Sequence, residues 1–265
     1  MNSFTDQLNR QISIPSIPRR IISLVPSQTE LLYDLGLRDE VVGITKFCIH
    51  PEEWFRTKTR VGGTKKINFE KIHALQPDLI IGNKEENERE QIEELMKHYN
   101  VWMSDIYTLK DALGMIACMG PLLGKNEEAT NLKLEIESRF HRFRQQATDS
   151  QQPKTAYFIW SNPYMVAGTG TFINEMLNIC GFRNVFETAR YPEVTAEQIR
   201  EADPELILLS SEPYPFRDKH IAGFKVICPD AKVIIVDGEM FSWYGSRLLR
   251  APEYFRQLIA DVQMG

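Results

Sequence analysis

The chain has 265 residues, 43% hydrophobic and 25% charged, with 31 basic against 36 acidic side chains and a formal net charge of -5. That balance belongs to a globular protein with enough chain for a full core. It offers no basic stripe for a nucleic-acid partner. No run of about 18 apolar residues is present, so no membrane-spanning helix is expected. The four cysteines, Cys48, Cys118, Cys180 and Cys228, are dispersed and form no Cys-x-x-Cys pair. A structural zinc site is therefore not expected, and buried thiols are.

Residues 1–18 read as an irregular arm or a short edge segment. The start has neither a basic and apolar leader nor a cysteine that could carry a lipid, so as written it carries no export address. The first clear strand is Arg20–Val25, a β-branched apolar run ending at Pro26. Ser27 or Thr29 then caps a helix that stops at Gly36. Strands follow at Val41–Ile44 and near Arg60–Val61, a helix at Asn68–Leu75, a strand at Leu79–Gly82, a helix from about Glu88 to Tyr99 and a strand at Val101–Met103. Short apolar strands alternating with helices predict a parallel sheet covered on both faces.

From Asn126 to about Ala147 there is neither Gly nor Pro, and apolar residues recur at Ala129, Leu132, Ile136, Phe140 and Phe143. Steps of three and four predict one long amphipathic helix. The alternation then resumes with strands at Thr155–Trp160, Tyr164–Ala167, Leu206–Leu209 and Lys232–Val236. Helices are expected at Phe172–Cys180, Thr195–Ala202 and Ala251–Val262. Residues 68–82 and 195–210 echo each other, each a capped helix with Glu seven residues before a Pro, an acid after the Pro, then a buried strand. This is read as a weak internal repeat. The expected architecture is two Rossmann-like lobes with parallel sheets joined by one long backbone helix. The expected boundaries are 1–122 for the first lobe, 123–150 for the helix and 151–265 for the second lobe.

Patterns of hydrolases, zinc proteases and phosphate-binding loops are absent. Gly168-Thr169-Gly170-Thr171 reads as a tight turn with a helix cap, or as a source of backbone amides for a ligand. Cys48 and His50, two apart, are a local candidate pair for a metal, although only two ligands are at hand. Aromatic residues collect at predicted strand ends. These are Phe47, Trp160 and Tyr164, then Tyr191, Tyr214 and Phe216, then Phe241, Trp243 and Tyr244. Ligands of parallel α/β sheets sit beyond the carboxyl ends of the strands, where such rings supply stiff apolar surface. Cys48, and Lys65 after Gly62-Gly63, join the candidate ligand set. Glu70 and Glu197 lie in the first turns of the matched helices, where a carboxylate is favoured by the helix dipole or could serve a partner.

The segment Arg20–Glu30, together with Asn68–Ile72 and Leu75–Ile80, resembles the helical-backbone metal receptors. These are substrate-binding proteins of ABC importers for vitamin B12, haem and ferric siderophores. The likeness spans about residues 19–262. Asn162-Pro163, Glu175–Gly181, Asn184–Phe186 and Arg190–Ile199 are similar to the B12-binding branch. The resemblance implies a non-enzymatic monomer that binds cobalamin or a related chelate in an inter-lobe cleft and has no intrinsic cofactor. It implies that Phe47, Tyr191 and the Phe241–Tyr244 group line that cleft. It also implies that Glu70 and Glu197 meet arginines of a membrane permease. Where that branch carries a Trp, this chain has Tyr191-Pro192-Glu193. The resemblance implies a periplasmic location, whereas the missing leader leaves a cytoplasmic corrinoid carrier or sensor open. An enzyme using Cys48 and His50 is the remaining alternative.

Overall fold

The structure, a computed structural model, describes residues 2–146 and 152–263. It falls into two compact units. The first comprises Met1–Ile106, Lys110–Ile136 and Tyr244–Arg247, and the second Tyr107–Leu109, Glu137–Trp243 and Leu248–Gly265. The units are therefore not contiguous stretches, and the long helix is shared between them at 136/137 rather than standing apart. The expected boundary at 150/151 lies outside the described residues.

In the first unit, β1 (Asn2–Thr5) and β2 (Gln11–Ile14) form an antiparallel hairpin. Of the irregular arm or short edge segment expected there, the arm is corrected to this hairpin, and its turn explains why. Asp6 is 4% exposed. Its carboxylate accepts the amides of Leu8 and Arg10 and the Arg10 guanidinium. The same turn seals a sheet edge, because Gln7 N–H donates to the Met103 carbonyl at 3.1 Å and Arg10 to the Val101 carbonyl at 3.1 Å.

The main sheet follows from β3 (Ile21–Ser23), α1 (Pro26–Asp34), β4 (Val41–Ile44), α2 (Glu52–Thr57), β5 (Thr59–Arg60), α3 (Phe69–Leu75), β6 (Leu79–Asn83), α4 (Arg89–Met96) and β7 (Val101–Ser104). Strand order is β5-β4-β3-β6-β7, all parallel. Successive crossovers thus leave β3 in opposite directions, and the carboxyl ends of β3 and β6 form a topological switch point. Every residue of β3, β6 and β7 is buried, as expected where helices cover both faces. Helix α5 (Leu109–Leu123) was not legible in the sequence, since Gly114, Gly120 and Pro121 interrupt its pattern.

Helix α6 (Asn126–Gln146) follows, with Ala129, Ile136, Phe140 and Phe143 buried on the anticipated stripe. The second unit contains β8 (Lys154–Ser161), β9 (Tyr164–Val166), α7 (Phe172–Ile179), β10 (Arg183–Asn184), β11 (Glu193–Val194), α8 (Ala196–Ala202), β12 (Leu206–Ser210), α9 (Asp218–Ile227), β13 (Lys232–Val236), α10 (Gly238–Ser242) and α11 (Ala251–Gln263). Its sheet runs β11-β9-β8-β12-β13, with β8, β12 and β13 parallel and β9 and β11 added antiparallel.

The internal repeat is visible residue by residue. Asn68 and Thr195 cap α3 and α8 through their side chains. Ile72 and Ile199 are wholly buried at the same step. Gln76 and Asp203 both end their helices left-handed, with φ of 43° and 47°. The acid after each Pro clamps the start of the neighbouring strand. Asp78 accepts the amides of Arg19 and Arg20, and Glu205 accepts that of Lys154 at 2.7 Å. In return, Asp78 N–H donates to the Arg20 carbonyl and Glu205 N–H to the Lys154 carbonyl. The matched acids are therefore strand-register devices, one in each unit.

Candidate functional site

The candidate surface is built from the loops that follow the parallel strands, taken here unit by unit. In the first unit, the loop after β4 exposes Phe47, which is 50% accessible. Lys46 Nζ lies 4.9 Å from the centre of its ring. Gly63 lies beneath, where a Cβ would come within 3.1 Å of Phe47 Cε2. Lys65 is not a free cation, since its ammonium donates to the Glu85 carbonyl at 2.8 Å and lies 3.4 Å from Glu88. Lys84 is likewise paired with Asp105 at 2.7 Å. The rim of this unit thus has an exposed ring with Lys46 beside it, while Lys65 and Lys84 are held by neighbouring groups.

Of the Cys48 and His50 pair, the thiol is buried and the imidazole half-buried. The Cys48 thiol is wholly buried and is contacted by Thr29 Oγ1 and Thr45 Oγ1, each at 3.1 Å. Burial pushes it up to about 11, so it is a neutral thiol at physiological pH. Among the described residues, no cluster of three His, Cys, Asp or Glu side chains could hold a metal ion.

The segment Tyr244–Arg247 belongs to the first unit. The Tyr244 hydroxyl donates to Glu86 Oε1 at 3.1 Å, and burial pushes its phenol well up. Gly245 packs directly on Ser27, where a Cβ would lie 3.0 Å from the carbonyl oxygen. Arg247 grips Glu30 bidentately, Nε to Oε2 at 2.9 Å and Nη2 to Oε1 at 2.6 Å, with both residues buried.

In the second unit, Trp160 closes β8 and remains 39% exposed. Its indole N–H is satisfied by the Asn162 carbonyl at 3.2 Å, which leaves the ring available for stacking. Tyr214 packs edge-on against it, with ring centres 5.5 Å apart. Tyr191 is half-buried, with the Arg190 guanidinium 5.8 Å from its ring centre and 5.3 Å from that of Tyr107. The Gly168–Thr171 segment is a turn with a cap. Thr171 Oγ1 accepts from Asn174 N–H, and Gly168 fits so closely that a Cβ would overlap the Thr188 carbonyl.

Two expected ring contacts are corrected. Phe241 is wholly buried, packed against Tyr157 at 5.1 Å and Phe255 at 4.8 Å, and is a core residue. Tyr164 faces Phe158 and Phe224 at 6.0 and 5.2 Å and, half-buried, packs against the core of its unit. Trp243 is 6% exposed and donates its indole N–H to Glu212 Oε1 at 2.9 Å, alongside Ser242 Oγ at 2.7 Å. Only a narrow edge of Trp243 and of Tyr244 faces outward. Burial raises the Glu212 carboxyl, and the charges of Glu239 and Asp237 add to the shift.

Glu70 and Glu197 both stand exposed in the first turns of α3 and α8. The Glu197 carboxyl is held below its usual range by its own backbone N–H and by Thr195. Sequence reasoning missed Glu86, Glu212 and His220, since each acts through a hydrogen bond to an aromatic that only the folded chain brings near.

Two α/β units with parallel sheets and ring-bearing strand ends define a binding-protein architecture, and residues 21–225 match the periplasmic binding protein family, to which the chain belongs. Relatives agree along nearly its whole length. The vitamin B12-binding protein of Photorhabdus laumondii is 30% identical over 253 residues, covering 94% of this chain and 90% of that protein. The ABC transporter substrate-binding lipoprotein YvrC of Bacillus subtilis is 27% identical over 267 residues, covering 96% and 84%. Among solved structures, the periplasmic vitamin B12 binding protein BtuF of Vibrio cholerae shares the fold with a TM-score of 0.82 at 24% identity, covering 95% of this chain and all of that one. Among the described residues, no helix is long and apolar enough to cross a membrane.

Proposed function

We propose that the chain is the substrate-binding protein of an ABC importer and that its ligand is a corrinoid such as cobalamin. The observation that carries this reading is the set of exposed strand-end aromatics, Phe47 in one unit and Trp160 with Tyr214 in the other. A flat macrocycle gains from stacking and burial on such rings. A polyanionic ferric siderophore would need free lysines or arginines instead. The family and the named relatives support the same class. The ligand is bound outside the cytoplasmic membrane and passed to a permease, with exposed Glu70 and Glu197 as the contacts for that partner.

Titration of the purified chain with cyanocobalamin, haem and a ferric siderophore tests the ligand class by absorbance and calorimetry. Stoichiometric binding of cobalamin at micromolar affinity or tighter is expected. Its affinity should change little between low and high salt, because screening acts on charge contacts and not on stacked rings. Failure to bind cobalamin overturns the reading. The E70A/E197A double variant should keep cobalamin affinity and lose uptake in cells that carry the cognate permease. Uptake at the wild-type rate would remove the docking role.

A further inference from the structure

The loop from β12 to α9 carries a hydroxyl that the fold itself does not use. Tyr214 is half-exposed, its ring wedged between Trp160 and Phe216 at centre distances of 5.5 and 4.8 Å. Its hydroxyl oxygen lies 3.1 Å from His220 Nε2. The other ring nitrogen of His220, Nδ1, accepts the backbone N–H of Arg217 at 2.9 Å. The Arg217 carbonyl, 3.0 Å from the same nitrogen, already accepts the His220 amide at 2.8 Å.

These contacts assign the tautomer. A hydrogen on Nδ1 would point into the Arg217 amide hydrogen, so the single ring hydrogen of neutral His220 sits on Nε2. It is donated to the Tyr214 oxygen. That oxygen is thereby used as an acceptor, and the Tyr214 hydrogen is left with no acceptor among the described residues. A phenol held in this way is a donor with a fixed direction, next to the exposed indole of Trp160.

We propose that Tyr214, oriented by His220, is a ligand-binding residue that donates a hydrogen bond to a carbonyl oxygen on the rim of the chelate stacked on Trp160. The inference rests on the binding function proposed above and sharpens it. Ring stacking accepts any flat macrocycle, whereas a directed donor selects one whose rim carries amide carbonyls, as a corrinoid's does. Tyr214 is the contact, and His220 is a positioning residue that touches no ligand.

The test is calorimetric titration of the full chain with cyanocobalamin, in four forms: wild type, Tyr214→Phe, His220→Leu and the double variant. Tyr214→Phe keeps the ring packed on Trp160 and deletes only the hydroxyl. We expect binding about 5-fold weaker at an unchanged melting temperature, the usual worth of one hydrogen bond. His220→Leu should weaken binding in the wild-type background and have no further effect in the Y214F chain, the non-additivity expected if it acts only through that hydroxyl. A purely structural role for His220 would lower affinity equally in both backgrounds and would overturn its assignment. Wild-type affinity in Tyr214→Phe would overturn the inference alone. A wild-type chain that does not bind cobalamin would instead overturn the underlying binding reading, and the ligand role of Tyr214 with it.

Discussion

Single side chains here are often set by one carboxylate, and Glu212 is the clearest case. One of its oxygens takes both the Ser242 hydroxyl and the Trp243 indole, while burial and two neighbouring acids raise its pKa. A raised carboxyl holds its proton in the folded chain at a pH where the unfolded chain has released it. Its contribution to stability is therefore complete below the ordinary carboxyl range and is lost as pH rises through the folded value. Glu212→Gln keeps the accepting oxygen and removes the charge. The variant should melt a few degrees above wild type at pH 7.5, and the gap should close at about pH 3, below the ordinary carboxyl range, where both states of the wild-type carboxyl are protonated. Melting curves across that range check it, and a pH-independent gap would contradict the assignment. Sequence alone located the rings at strand ends but could not tell which are core. Phe47 and Phe241 both follow a strand, yet one is half exposed and the other wholly enclosed by Tyr157 and Phe255. The difference is made by helix α11, which follows closely in the chain and brings Phe255, and by Tyr157 of β8.

Elements show the same division between what periodicity reveals and what it hides. The helices around Glu70 and Glu197 were legible because caps, a buried Ile and a Pro recur at matched steps, each a local rule of helix ends. Helix α9 was not, because its Gly223 and its β-branched residues weaken the local signal. The β1–β2 hairpin was hidden for a different reason. Its turn is organised by Asp6, whose loop through Arg10 is completed by contacts to β7, about a hundred residues away along the chain. Asp6→Ala should destabilise the first unit by about 2–3 kcal/mol, since a buried, multiply hydrogen-bonded carboxylate is lost and the amides it satisfied are orphaned. Denaturant unfolding measures this directly. The same variant should also aggregate more readily, because β7 would present unpaired backbone groups at an open edge. A loss under 0.5 kcal/mol would mean that the hairpin is decoration.

For the whole molecule, the informative contact is the buried Glu30–Arg247 pair, which joins α1 to a segment 217 residues later. Removing one partner of a buried ion pair leaves an uncompensated charge and typically costs about 3–5 kcal/mol. Replacing both by apolar groups removes most of that penalty. Arg247→Met should therefore lower unfolding stability strongly, and the E30M/R247M double variant should recover a large part of the loss. Equal stability for the single and double variants would show that the pair's worth lies in the bond itself and not in charge compensation. Two-lobed organisation was readable from alternating strands, the repeat and the helix at 126–146. The exchange of short segments between the units was not, because residues 107–109 and 244–247 carry no composition or periodicity that marks them.

That exchange bears on how the protein comes into being on the ribosome. The first unit needs Tyr244–Arg247 for the Glu86 and Glu30 contacts, and those residues are translated only after nearly all of the second unit. A nascent chain that has emerged as far as α6 still lacks the Gly245 that packs on Ser27 and the Arg247 that pairs with Glu30. The four residues that complete these contacts of the first unit are thus among the last to be translated.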